Sequence, residues 1–146
     1  MKQVAKLICI VLSLVMLLTI PAYAVEASDS RASNYFSNSA VYLYKTSSTT
    51  FQAWFEVTCV RTMDKVGAKE IKIQRSSDNQ NWTTVATYSM NDYSNLICTN
   101  SLGHDACVTY TGTSGYYYRA YYKLYAKDDD TGSGTWDRYS SSIYIS

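Results

Sequence analysis

The residues of this chain best suited to chemistry lie between Cys98 and Cys107, where the only histidine, His104, adjoins Asp105. Two thiolates, an imidazole and a carboxylate make up a donor set that zinc accepts. The spacing Cys98-x5-His104-Asp105-x-Cys107 lacks the close CxxC-type pairs usual at structural zinc sites, so neither a metal nor a cofactor is assigned. The same thiols stand nine positions apart. Joining them closes a loop of about ten residues, worth roughly 2.5 to 3 kcal/mol in the chain-entropy model, and Cys98 with Cys107 is a candidate disulfide in an oxidising compartment. His104 as a base for either thiol would complete a nucleophilic pair, but that chemistry also needs an orienting third group and an oxyanion site. No such group is marked in the sequence, and no catalytic residue is assigned.

A second acidic stretch, Asp128-Asp129-Asp130-Thr131-Gly132-Ser133-Gly134, begins like a calcium loop. Against the EF-hand pattern it fails: Gly132 stands at the fifth ligand, Ser133 at the obligatory glycine and Tyr139 at the bidentate glutamate. It reads as a solvated hairpin turn. Asn81-Trp82-Thr83 matches a glycosylation sequon, which matters only in a host that glycosylates.

The strongest surface signal is the alternation from Tyr116 to Lys127. Tyr116, Tyr118, Ala120, Tyr122, Leu124 and Ala126 form an uncharged phase, while Tyr117, Arg119, Tyr121, Lys123 and Tyr125 interleave rings with cations. Rigid amphipathic rings between cations suit an extracellular protein, a glycan or a cell surface. The plain alternative is a wet sheet face, whose cross-strand Tyr and Lys pairs each add roughly 0.2 to 1 kcal/mol.

Strands must position these groups. Ala40–Lys45 reads as a short strand, and Phe51–Val60 as a strong one with Phe51, Ala53, Phe55, Val57 and Cys59 on one face. Cys59 in that phase reads as a small buried hydrophobe. Thr62–Ala68 reads as a bulged crossover or a helical turn. Lys69–Arg75 and Trp82–Tyr88 make a hairpin around the turn formers Ser76–Asn81. Tyr88–Ala106 is irregular and reads as a crossing loop, followed by strands at Cys107–Thr111, Tyr116–Lys127 and Trp136–Ile145. About seven strands with no long helix to cover them predict an all-β, antiparallel β-sandwich over 40–146.

Lys2 and Lys6, the apolar run Leu7–Ile20 and Pro21-Ala22-Tyr23-Ala24 read as a signal peptide helix over 1–24, cleaved between Ala24 and Val25, with no retained membrane span. Residues 25–39, rich in Ser, Asn and Asp, read as a flexible leader that docks through Tyr35 and Phe36. Removing 24 of 146 residues leaves 122, enough for one domain, and leaves 11 of the 13 basic residues against 12 acidic ones. That balance argues against a nucleic-acid partner. The expected localisation is extracellular.

Two segments resemble a fibronectin type III domain, an immunoglobulin-like sandwich. Ile71–Asp78 continuing through Asn81–Val85 resembles its C to C′ hairpin, and Thr113–Tyr121 is similar to the entry into strand F, with Tyr116 at the tyrosine-corner position. The chain is also similar to a group of small secreted bacterial proteins to which no activity is assigned. The shared features are Arg31-Ala32-Ser33, Thr62–Ala68 and Tyr110–Tyr121. These resemblances imply a secreted sandwich domain and transfer no activity to it.

The leading expectation is therefore a secreted, non-enzymatic binding module. The second is a small hydrolase or metal-dependent enzyme using His104 with Cys98 and Cys107, and the third a self-assembling structural protein. The signal reading predicts that the exported protein starts at Val25, which intact mass or N-terminal sequencing of secreted material checks.

Overall fold

A computed structural model describes residues 32–146; the signal, its cleavage point at Ala24 and Val25, and the first part of the leader lie outside the described residues. A single helical turn, α1 (Ala32–Tyr35), leads into β1 (Phe36–Lys45). Then follow β2 (Thr50–Ser76), β3 (Thr83–Ser89), a 3-10 turn (Ser94–Leu96) and β4 (Ile97–Thr111). The chain ends in β5 (Tyr116–Asp128), β6 (Gly132–Tyr139) and β7 (Ile143–Ile145). The seven strands form one antiparallel sheet that curls into a half-barrel, so the all-β expectation holds at this level.

The 27-residue strand β2 organises the sheet. Its first half pairs with β1 along one edge and with β4 along the other, for example Phe55 with Val41 and with Ala106. Its second half pairs with β5 and β3 in the same way, for example Ile73 with Ala120 and with Ala86. Between the halves the β4 register jumps from Thr58 to Met63, and the β5 register jumps from Ala68 to Glu70. Irregularities of this kind bend a strand while its flanks keep their partners.

Curling turns one face of the sheet inward. Phe51, Phe55 and Val57 of the first half and Ile71, Ile73, Tyr118, Tyr122 and Leu124 of the second are at most 1% exposed. Each large apolar side chain so buried contributes roughly 1.5 to 3 kcal/mol. Phe51 and Tyr118 meet across the interior at 5.3 Å between ring centroids, and Tyr110 closes the cluster at 5.6 and 5.9 Å from them. The Tyr122 hydroxyl donates to the Tyr42 carbonyl at 3.2 Å, tying β5 to β1.

Several elements differ from the sequence expectation. The crossover expected at Thr62–Ala68 is absent, because β2 runs through it. Its buried positions are odd-numbered from Phe51 to Met63, even at Val66 and Ala68, and odd again at Ile71 and Ile73. Each change of phase imitates a strand end in sequence and is an irregularity inside one strand in space. The crossing loop expected before Cys107 is the first half of β4. The last strand is split, with the buried Ser140 bridging the gap: the Ala120 N–H donates to Ser140 Oγ and the Ser140 N–H to the Ala120 carbonyl, both at 2.9 Å. The first strand starts at Phe36, before Ala40, and both Tyr35 and Phe36 are buried. Of the two tyrosines, it is the buried Tyr118 and not Tyr116 whose hydroxyl meets upstream backbone, accepting from the Thr113 N–H at 2.7 Å.

Gly67 sits where β2 is paired simultaneously with Ile97 of β4 and Tyr125 of β5. Its φ is 152°, and a Cβ there would lie 2.0 Å from the Leu96 carbonyl oxygen. Gly115, with φ 86°, has nothing within 4 Å of such an atom. We expect Gly115→Ala to lower stability by about 1 to 2 kcal/mol, the left-handed penalty alone. Gly67→Ala is expected to cost more, since backbone must also move, and urea unfolding of the two variants measures the difference.

Candidate binding face on β5

The outward side chains of β5 are Tyr117, Arg119, Tyr121, Lys123, Tyr125 and Lys127, all half-buried, because the alternate residues Tyr118 to Ala126 fill the interior. The five residues expected to form a contact face therefore do share one side of one strand. Their neighbours follow from register. Tyr117 stands opposite Tyr144 of β7, Tyr121 opposite Lys72 of β2 and Tyr139 of β6, and Lys123 opposite Glu70 and Asp137.

Rings and cations on this face are in contact. The Arg119 guanidinium lies between Trp82, at 4.4 Å, and Tyr139, at 4.7 Å from the ring centroids, and its Nε donates to Gln74 Oε1 at 2.8 Å. Lys72 Nζ is 5.6 Å from the Tyr121 centroid and 2.8 Å from Glu70 Oε1. Lys69 reaches over Tyr125 at 5.9 Å. Tyr121 and Tyr139 pack at 5.2 Å, and Tyr117 and Tyr144 at 4.9 Å. Desolvation, and then a hydrogen bond to Asp137, raises the Tyr121 phenol above its ordinary range. Tyr139 and Tyr144 keep 54% and 48% of their surface exposed.

Trp82, Tyr139, Tyr144, Lys69 and Lys72 were not legible as members of this face. Each comes from another strand or turn, and only the register brings it beside β5. Trp82 is delivered by the turn between β2 and β3. There Asp78 Oδ1 accepts from the N–H groups of Gln80 at 2.9 Å and Asn81 at 2.8 Å, and from Ser76 Oγ at 2.7 Å. Asn79 takes φ 59°, which asparagine tolerates.

The other candidate groups are dispersed. Cys98 and Cys107 are free thiols on one strand, opposite Val66 and Trp54 respectively. Nine strand positions at about 3.3 Å each, even around a bend, exceed the roughly 7 Å that a disulfide spans between Cα atoms. The disulfide-closed loop expected there is an extended strand. His104 points to the inner side opposite Val57, packs edge-on to Phe55 at 5.8 Å, and donates from Nε2 to the Asn95 carbonyl at 2.7 Å. Asp105, opposite Glu56, takes the outer side with Cys107. The four residues that could be written as a zinc donor set are thus divided between two faces, and no group of metal-ligating side chains occurs among the described residues. Cys59 is buried, and desolvation raises its thiol to about 11, which suits a packing role.

The acidic turn after β5 satisfies itself. Asp128 Oδ1 accepts from the N–H groups of Asp130 at 2.9 Å and Thr131 at 3.2 Å, while Arg61 binds Oδ2 at 2.9 and 3.0 Å. The Arg61 hydrogen bond, first among several, lowers the Asp128 carboxyl below its ordinary value. Lys127 pairs with Asp129. No helix of the described residues is long and apolar enough to cross a membrane. No protein-family model and no curated protein sequence matches the chain.

The Asp78 carboxyl is held well below its usual range, first by the Asn81 N–H, then by the Asn81 and Ser76 side chains and the Gln80 N–H. Since the folded value is depressed, its stabilising effect is complete above the unfolded pKa, about 3.9, and is lost as pH falls further. Asp78→Ala should therefore lower the urea midpoint at pH 7, and the gap from the parent protein should narrow only below about pH 4. Parallel denaturation series at pH 7 and pH 2.5 check this.

Proposed function

We propose that the protein is a secreted, non-enzymatic binding module that contacts an extracellular partner through the outer face of β5 and its flanking strands. The observation carrying this reading is the Trp82–Arg119–Tyr139 stack continued by Tyr121 and Lys72. An aromatic and cationic surface fixed in place by a sheet offers contact area whose ordering cost is already met by folding. The positions outside the interior hold half-exposed rings where short polar residues would serve a solvated sheet equally well.

The fold reading extends to an immunoglobulin-like sandwich of the fibronectin type III kind. Two features support it. β2 bends between halves that contribute to opposite walls of the interior, and the Tyr118 hydroxyl bonds to backbone five residues upstream, as a corner tyrosine does. The His104 reading has less support, because its Nε2 is engaged by Asn95 and its ring packs against Phe55.

Substituting Tyr117, Tyr121 and Tyr125 together by Ala removes the rings while leaving the interior residues untouched. The expected outcome is a loss of at least about tenfold in affinity, given about 1 kcal/mol or more per well-placed ring. The measurement is a glycan array followed by titration of the best ligand, with circular dichroism verifying the fold. Undiminished binding by the triple variant rejects this face.

A further inference from the structure

Charge is divided between the outer sides of the two halves of the sheet. On the second half, Lys65, Lys69, Lys72, Arg119, Lys123 and Lys127 stand with Glu70 and Asp137 among them, and Asp64 and Asp129 at the margin beside Lys127. Lys65 lies directly opposite Lys127 across the β2–β5 pair. On the first half, Glu56 lies directly opposite Asp105. Like charges placed opposite one another weaken strand pairing, and both juxtapositions vanish if the two signs are mixed. Among the described residues, Lys65 and Lys123 make no ion pair.

The cations on β5 are also periodic. Arg119, Lys123 and Lys127 alternate with Tyr117, Tyr121 and Tyr125, so that like groups recur every four residues, about 13 Å along the strand. Several ring faces are occupied from within, Trp82 and Tyr139 by Arg119, Tyr121 by Lys72 and Tyr125 by Lys69. What this side offers outward is therefore phenol hydroxyls and N–H donors, with less bare aromatic surface for a flat base or an uncharged ring to cover.

We infer that the face takes an extended acidic polysaccharide, a chain of hydroxyl-rich sugar units bearing carboxylate or sulfate groups at intervals. This rests on the proposed role of the β5 face and names the chemistry of its partner. The anionic groups meet Arg119, Lys123, Lys127 and the adjoining Lys65 and Lys72, and the sugar hydroxyls meet the tyrosine hydroxyls. The repetition of the surface along β5 matches a ligand that itself repeats, and the acidic outer side of the first half repels the same polymer, which fixes the side on which it lies.

The test is titration of the folded domain with polygalacturonate, dextran sulfate, uncharged dextran and a single-stranded oligothymidylate. Wild-type protein is expected to bind both acidic polysaccharides at least tenfold more tightly than dextran and the oligonucleotide, with binding weakened at least tenfold when salt rises from about 0.05 to about 0.5 M, as exposed charges are screened. Lys65→Gln/Lys72→Gln/Lys123→Gln should weaken both acidic ligands at least tenfold, and Glu56→Gln/Asp105→Asn, on the opposite side, should not. If the triple variant does not fold, Lys65→Gln and Lys123→Gln singly carry the same comparison, each with a several-fold loss.

Equal binding of dextran, lost in the Tyr117/Tyr121/Tyr125 variant, overturns the acidic ligand and leaves the face standing. Acidic polymers bound unchanged by the lysine and tyrosine variants alike overturn both. Preference for the oligothymidylate assigns the face to nucleic acid and overturns the inference. So does self-association at low salt that is abolished equally by the lysine variant and by Glu56→Gln/Asp105→Asn, which assigns the face to a second copy of the chain.

Discussion

Everything in this fold hangs on the backbone hydrogen bonds of β2, a 27-residue strand that has partners on both edges over Phe51–Thr58, Lys65–Gly67 and Glu70–Arg75 and none at the exposed Val60–Thr62. A buried N–H or C=O without a partner costs free energy comparable to a lost hydrogen bond. The strand meets this by exchanging partners: β1 gives way to β5 on one edge, β4 to β3 on the other. At the handover Gly67 adopts a backbone that other residues resist and admits the Leu96 carbonyl to a space no side chain can share. The half-barrel, its single interior and the exposed face of β5 all follow from that exchange.

The same arrangement explains which parts were legible in sequence. Alternation along Tyr116–Lys127 and Phe51–Cys59 is strict, and in each case the apolar phase is the buried one. The composition of a strand records which face is wet because side chains alternate with period two, and this information is local. The continuity of β2 was hidden for the complementary reason. Its buried phase shifts at Val66 and again at Ile71, and the periodic signal carries no means of distinguishing an interruption from an end. β4 was hidden because Asn100 and Gly103 are turn formers in isolation: Gly103 is held in the strand by its pairing with Thr58, while Asn100 takes a left-handed φ of 50° between the paired Thr99 and Ser101.

The candidate face shows the same limit. Tyr117, Arg119, Tyr121, Lys123 and Tyr125 are neighbours in sequence, and their shared side follows from alternation alone. Trp82 and Tyr139 lie 37 positions before and 20 positions after Arg119, and they meet it only because β3 and β6 flank the β2–β5 pair. The reverse error arises at Cys98, His104, Asp105 and Cys107, where closeness in sequence suggested closeness in space. An extended strand separates such residues along its length and sends odd and even positions to opposite sides.

The central placing of β2 bears on the order in which the molecule can assemble. Its partner β1 is joined to it by the short turn Thr46–Thr49 and β3 by Ser77–Trp82, whereas the partners in β4 and β5 arrive only after dozens of further residues. A chain synthesised from its N-terminus therefore holds a three-stranded ribbon early, with one side of each half of β2 bare. Loop-closure entropy must be met before the distant strands dock, and the bare sides are templates for another copy of the chain in the meantime. Kinetic competition between docking and association is thus written into the topology.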